Sequence, residues 1–191
     1  MNEPLQDRIE ELERQVDALW GTSVAIHDAT APRVTAETND FGRAVQLVLG
    51  DLRKHVPFDS ASVQELRGSR LVIVAGIGFA DVDIVLGESF DIDNADSPNG
   101  EIVHRRRALL VRDTEQYRAF RRGLHVGMNI RSWLGVPMLV EGRIVGIVAF
   151  DKAEADFYTP EHQQVAIRYA AVIAAALSRA QEAGSSYKAS K

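Results

Sequence analysis

The segment Ser132–Phe150 constrains the fold more than any other part of the chain. Two apolar runs, SWLGVPMLV at Ser132–Val140 and RIVGIVAF at Arg143–Phe150, flank Glu141-Gly142. Apolar runs of that length joined by a two-residue turn with Gly read as a β-hairpin. Neither run alternates between apolar and polar residues. A strand that is apolar on both faces needs cover on both faces, so the hairpin predicts a sheet sandwiched between two layers. Pro137 cannot donate to a ladder, which predicts a bulge or an edge position in the first strand.

A second hairpin is predicted upstream. Ser60–Leu66 (SASVQEL) alternates loosely, Leu71–Ile77 (LVIVAGI) is rich in branched residues, and Arg67–Arg70 (RGSR) forms the turn. Helical spacing of Phe41, Ala44, Val45, Val48, Leu49 and Leu52 predicts a helix over Phe41–His55, capped by Asn39 or Asp40 and ended by Pro57. A last helix is predicted from Pro160 to about Ala183, with Thr159 as N-cap and Pro160 in the first turn. Its Ala170, Ala171, Ala174 and Ala175 keep it slim enough for close helix–helix approach. Glu101–Arg107 predicts a short helix leading into a strand at Ala108–Arg112, and Thr114–Arg122 predicts another short helix.

At the N-terminus, Leu5, Ile9, Leu12, Val16 and Leu19 are spaced 4, 3, 4, 3, the a/d pattern of a heptad repeat. The stripe is narrower than that of most core-facing helices. It predicts a homodimer through this helix, with the last helix as a second contributor. The bland alternative is packing on the chain's own domain. The resulting organisation is an N-terminal helix and connector over 1–38, one domain over 39–183, and a flexible tail over 184–191.

Composition removes whole classes of chemistry. There is no Cys, which excludes a disulfide framework, a thiolate metal site and a Cys nucleophile. The formal net charge of −5 argues against nucleic-acid binding over the whole surface. No apolar run reaches the length of a membrane span, and Met1–Glu13 is too charged for a signal peptide. The expectation is a cytoplasmic protein with no membrane and no nucleic-acid partner.

The ordered set of motifs resembles the GAF domain family over roughly Asn39–Ala183. It comprises VPFDSASV (Val56–Val63), LVIVAGIGF (Leu71–Phe79), LLVRD (Leu109–Asp113), IRSWLGVPM (Ile130–Met138), GRIVGIVAFDK (Gly142–Lys152) and FYTPEH (Phe157–His162). The closest look-alikes are modules of bacterial signalling proteins, upstream of histidine kinases or cyclic-di-nucleotide enzymes. The resemblance implies an α/β (α+β) fold: a six-stranded antiparallel sheet with helices on both faces, the terminal helices on one and a ligand-enclosing lid on the other. It implies a small-molecule-sensing regulatory module that signals through a helical dimer to a downstream output domain or partner. A ligand-free dimerisation or scaffold domain is the alternative.

The resemblance also excludes activities. Methionine-sulfoxide-reducing members use cysteines, and phytochrome-type members carry an Asp-Ile-Pro motif; neither is present. Asp151-Lys152 with Phe157–His162 is a degraded form of a cyclic-nucleotide signature, read here as holding the last strand to the last helix. His104 and His125 lie where a haem-binding member would place an axial ligand, but the five His residues show no helical metal spacing and no cofactor or metal is expected. No nucleophile–base pair is evident, so the chain is not expected to be an enzyme.

Candidate binding residues follow from charge and strand alternation. Asp81–Glu101 holds seven acids and no Lys or Arg, while His104–Arg131 holds eight Arg opposed only by Asp113 and Glu115. Most of these charges read as a solvated network. Arg112 and Arg131 adjoin strands and are candidates to clamp a carboxylate or phosphate. In the strand after Ile130, Ser132, Leu134 and Val136 share one face, and Arg131, Trp133 and Gly135 the other. Either set can face the lid on the sequence alone, so Ser132 and Trp133 are both candidates. Tyr117, Phe120 and Arg121 come from the lid, Phe79 borders the mouth, and Asp113 is a candidate with a capping role as its bland alternative.

Overall fold

The computed structural model describes residues 3–23, 40–94, 97–120 and 129–189. Eleven elements follow in chain order: α1 (Glu3–Ser23), α2 (Asp40–Leu52), β1 (Ser60–Arg67), β2 (Arg70–Ile77), α3 (Val82–Val85), β3 (Ser89–Asp91), α4 (Pro98–Arg105), β4 (Leu109–Val111), β5 (Ser132–Val140), β6 (Arg143–Lys152) and α5 (Pro160–Ala189). The strands form one antiparallel sheet in the order β3-β2-β1-β6-β5-β4. Both predicted hairpins are present. Glu141 and Gly142 both have positive φ, at 50° and 74°, the backbone that a tight two-residue turn between twisted strands requires.

The double-sided hydrophobicity of β5 and β6 is resolved by register. Leu134 pairs with Phe150 and Val136 with Val148, and β1 adds Ala61 and Val63 opposite the same two β6 residues. This face packs into a core shared with α1, α2 and α5. Trp133 pairs with Asp151 and Gly135 with Ala149, facing the other way. Trp133, Ile147 and Ala149 join a second core with Ile102 and Val103 of α4 and Val111 of β4. Pro137 sits beyond the end of the β4 ladder, which stops at Gly135, and next to a bulge at Met138/Leu139. Both features expected of a strand proline are therefore present.

The heptad stripe of α1 is used inside the chain. Leu12 is fully buried and Ile9 and Val16 nearly so, packed with α2 and α5, while Leu5 and Leu19 pack at the margin. This is the alternative reading of the stripe: its own domain supplies an apolar partner for Ile9, Leu12 and Val16. A buried polar node accompanies this packing. Asp51 of α2 accepts hydrogen bonds from Arg8 (2.9 and 3.0 Å), Lys54 (2.8 Å) and the Tyr169 hydroxyl (2.8 Å). One carboxylate thereby fixes α1, α2 and α5 in mutual register, and Arg179 pairs with Asp17 further along.

Several elements differ from the sequence reading, among them α4, which begins at Pro98 rather than Glu101. Helix α2 ends at Leu52 rather than His55, because residues 53–55 form turns that close onto the Leu49, Asp51 and Leu52 carbonyls. Residues 114–120 form turns, not a helix. There the Asp113 carboxylate accepts from the Glu115 amide and the Thr114 hydroxyl donates to the Ile130 carbonyl, local bonds that compete with helical ones. Helix α5 continues through Gly184 to Ala189, where a tail over 184–191 was expected. A helical Gly costs only about 1 kcal/mol and does not end a helix by itself. The short α3 and β3 were not predicted.

The polar node generates two predictions. Burial raises the Asp51 pKa, but the hydrogen bonds from Arg8, Lys54 and Tyr169 outweigh that and hold the group well below the usual carboxylate range. Its stabilisation is complete above the ordinary Asp pKa and is lost as pH falls toward the folded value. Urea unfolding should therefore show a larger loss of stability between neutral and acidic pH in the wild type than in Asp51→Asn. At neutral pH, Asp51→Ala should cost about 2 kcal/mol, moderated by the exposure of Arg8 and Lys54, and Tyr169→Phe about 1 kcal/mol.

Candidate functional site

A cavity of about 340 Å³ lies over the face of the sheet opposite α1, α2 and α5. Its floor is built by alternation. Ser62 pairs with Ala149, Gln64 with Ile147 and Ser60 with Asp151, so these side chains rise on the same face as Trp133. Ser62, Gln64, Ala149 and Asp151 line the cavity, all 5% exposed or less. The Ser60 hydroxyl donates to Asp151 at 2.5 Å, and the Gln64 carboxamide donates to Ser62 at 3.1 Å. A polar floor on a strand otherwise covered on both sides is a costly arrangement unless each group finds a partner.

The walls come from the lid segments. Pro98 and Asn99 at the start of α4, Phe90 of β3, Phe120, Ile130 and Trp133 close the sides. Phe120 meets Trp133 edge-on, with ring centroids 6.2 Å apart. Asn99 reaches the Gln64 carbonyl oxygen at 3.5 Å. Helix α4 is held in place at its N-terminus by Ser97, whose hydroxyl accepts from the Gly100 amide and donates to the Asn94 carbonyl. A Cβ at Gly100 would lie 2.2 Å from that carbonyl, and one at Gly135 would strike Trp133 and Ile102 at 2.3 and 2.4 Å. Glycine at 100 lets α4 lie against the Asn94 turn, and glycine at 135 lets Ile102 of α4 and the Trp133 ring lie close over β5. At the mouth, Arg70 donates to the Ser89 hydroxyl at 2.7 and 3.0 Å.

Of the residues singled out in the sequence, Trp133 and Phe120 line the cavity. Ser132 does not. It lies on the Leu134 face, donates to the Val111 carbonyl at 3.4 Å and accepts from the Tyr158 amide at 3.5 Å, so its polarity serves the junction of β4, β5 and the α5 approach. Arg131 grips a carboxylate of its own chain: its Nε and terminal nitrogen bond the two oxygens of Asp113 at 3.2 and 3.1 Å. Asp113 also accepts from the Glu115 amide and the Gln116 side chain, so it caps a turn. Arg131 holds the Asp113 carboxyl below the usual range. Arg112 is exposed and faces Asp156 at 3.5 Å. The Tyr117 hydroxyl donates to Glu101 at 2.9 Å, outside the cavity lining. Phe79 packs over Gly76 at the end of β2, also outside it. Arg121 and His125 fall outside the described residues. The His104 ring bonds the Ile92 carbonyl at 2.8 Å. Among the described residues no group of three or more His, Asp or Glu could hold a metal.

The link between β6 and α5 expected from Asp151-Lys152 and Phe157–His162 runs through Lys152. Its ammonium bonds Asp59 at 2.6 Å and sits 5.0 Å from the Phe157 ring centroid, and Phe157 stacks on His162. Asp151 instead points into the cavity floor. The residues missed were Ser62, Gln64, Asn99 and Asp151. The signal for the first two was present: Ser60, Ser62 and Gln64 alternate with Ala61 and Val63, a polar set on a strand that the hairpin logic buries.

Comparison with known proteins places this geometry. A family model described as GAF domain matches residues 38–178. No curated protein matches the chain. Among solved structures, the GAF domain of a phosphoenolpyruvate-protein phosphotransferase from Coxiella burnetii superimposes with a TM-score of 0.67 at 19% identity, over 93% of this chain and 96% of that one. The GAF domain of the Acinetobacter phosphoenolpyruvate-protein phosphotransferase gives 0.66 at 12% identity, over 95% and 97%. A fragment of a methyl-accepting chemotaxis protein gives 0.59 at 17% identity, over 73% and 89%. The fold is thus a known one, and the chain belongs to the GAF domain family.

Proposed function

We propose that this chain is a regulatory GAF module that binds a small molecule in the cavity between the sheet and α4. The observation carrying the reading is the cavity floor: buried Ser62, Gln64 and Asp151 under an aromatic wall of Trp133 and Phe120. A concave site that joins apolar walls to a few placed polar groups is what small-ligand recognition uses. The reading is of binding and assigns no reaction. Family members in chemotaxis and phosphotransferase proteins support a signalling context.

Occupancy reaches the output through linkage. A ligand that bonds the floor and the α4 wall favours one arrangement of β1, β5 and β6, and the opposite faces of those strands carry α1, α2 and α5. The helix layer would pass the change to an output domain or partner. With the a/d stripe of α1 used in its own domain, the expected homodimer is left to α5.

A thermal-shift screen of metabolites tests the reading, supported by native mass spectrometry of the protein as purified. A true ligand at a hundredfold its Kd stabilises by about 2.7 kcal/mol. Ala149→Phe should place a ring in the cavity and abolish that shift while leaving the secondary structure and the helix layer intact. A shift that persists in Ala149→Phe, or a library that stabilises nothing, would favour a ligand-free scaffold domain.

A further inference from the structure

A second concavity, of about 480 Å³, opens at the β4–β5 edge of the sheet between the C-terminal end of α4 and the outer face of α5. Its rim is Arg105, Arg106 and Arg107, and its floor includes Leu139 and Ile167. Leu139 is 41% exposed and Ile167 36%, two of the three large apolar side chains left exposed among the described residues. Arg105 is paired with Glu101 at 2.9 Å. Arg106 and Arg107 are exposed and have no acidic partner among the described residues. Arg106 takes a left-handed backbone, φ 51°, at the C-cap of α4, which turns the chain and sets the Arg run along the rim.

We propose that this groove docks an acidic amphipathic helix of a partner protein. Ile167 and Ala171 are one helical turn apart on α5, and the small Ala171 lets a second helix approach. The apolar face of that helix would cover Leu139 and Ile167, and its carboxylates would meet Arg106 and Arg107. Charge and shape decide against two other occupants. A second copy paired about a twofold axis at this groove would bring its own Arg cluster against the first. A bilayer surface is flat where the groove is concave, so lipid would not reach Leu139 and Ile167 together. Helix α4 is a wall of both sites, with Pro98 and Asn99 at the ligand cavity and Arg105 at the groove.

The probe is a fluorescein-labelled helical peptide of about four turns, Glu on one face and Leu on the other, titrated by anisotropy into the full chain. Saturable binding that weakens as salt rises, and that is absent when Lys replaces Glu in the peptide, is the expected result. The double variant Arg106→Glu/Arg107→Glu and the single variant Ile167→Asp should each weaken binding by at least about tenfold. All three side chains are exposed, so wild-type melting serves as the check that each variant is folded. Binding unchanged in both variants, or no saturation by about 1 mM chain, would overturn the proposal. So would sedimentation showing self-association that Ile167→Asp removes, or phosphatidylglycerol vesicles bound with the same dependence on the three residues; these outcomes would assign the groove to a second copy or to lipid.

Discussion

Strand β6 pairs with both β1 and β5 over most of its length, and the rest of the molecule hangs on that double pairing. Because opposed residues in an antiparallel ladder share a face, one alternation runs across three strands. Phe150 and Val148 carry Ala61, Val63, Leu134 and Val136 toward the helices. Asp151 and Ala149 carry Ser60, Ser62, Trp133 and Gly135 toward the lid. A one-residue slip of β6 would exchange its own two sets, placing Asp151 and Ala149 among the helices and Phe150 in the cavity. The Asp51 node does for the helix layer what β6 does for the sheet, since a single carboxylate receives bonds from α1, from the end of α2 and from α5.

The sequence made the framework legible where period and punctuation agree. Both hairpins, the cap of α5, and the two-sided cover of the sheet follow from residue patterns. The Thr159 hydroxyl accepts from the His162 amide, as the N-cap reading requires. The site was less legible. Trp133 and Phe120 were visible as large aromatics next to the lid, but the face of β5 that meets the lid depends on the pairing partner, and Ser132 was drawn in by its polarity alone. Arg131 was visible as a clamp, yet its target is Asp113, eighteen residues away in sequence. Hydrogen-bond partners of that separation are set by tertiary packing. The N-terminal stripe shows the same limit from the other side: an a/d pattern states that a narrow apolar seam is covered, and not by which chain.

The two concavities divide the chemistry of the lid side. The ligand cavity joins hydroxyls, carboxamides, the carboxylates of Asp91 and Asp151 and aromatic faces over the middle of the sheet, while the groove at the sheet edge gathers Arg105, Arg106 and Arg107 beside aliphatic side chains. The acidic and basic blocks of the sequence fall accordingly. Asp91 reaches the cavity mouth on the β3 side, and Arg105–Arg107 lie at the opposite, β4 side. Among the described residues, Arg105, Arg131 and Arg112 of the Arg-rich block are paired with Glu101, Asp113 and Asp156, while Arg106 and Arg107 offer positive charge outward at the groove rim.

The ends of the sheet carry a consequence of their own. Its outermost strands, β3 and β4, are three residues each, against eight to ten for the four between them. An exposed strand is a template for adding a foreign strand, and its hazard grows with its length. Here each terminal strand offers too short a row of free amides to nucleate edge-to-edge stacking. Where β5 runs on past β4, Pro137 withholds a donor and the bulge at Met138/Leu139 bends the row out of register. The Pro-free run RIVGIVAF of β6 is thereby kept between β1 and β5, in the interior of the sheet and out of reach of a neighbour.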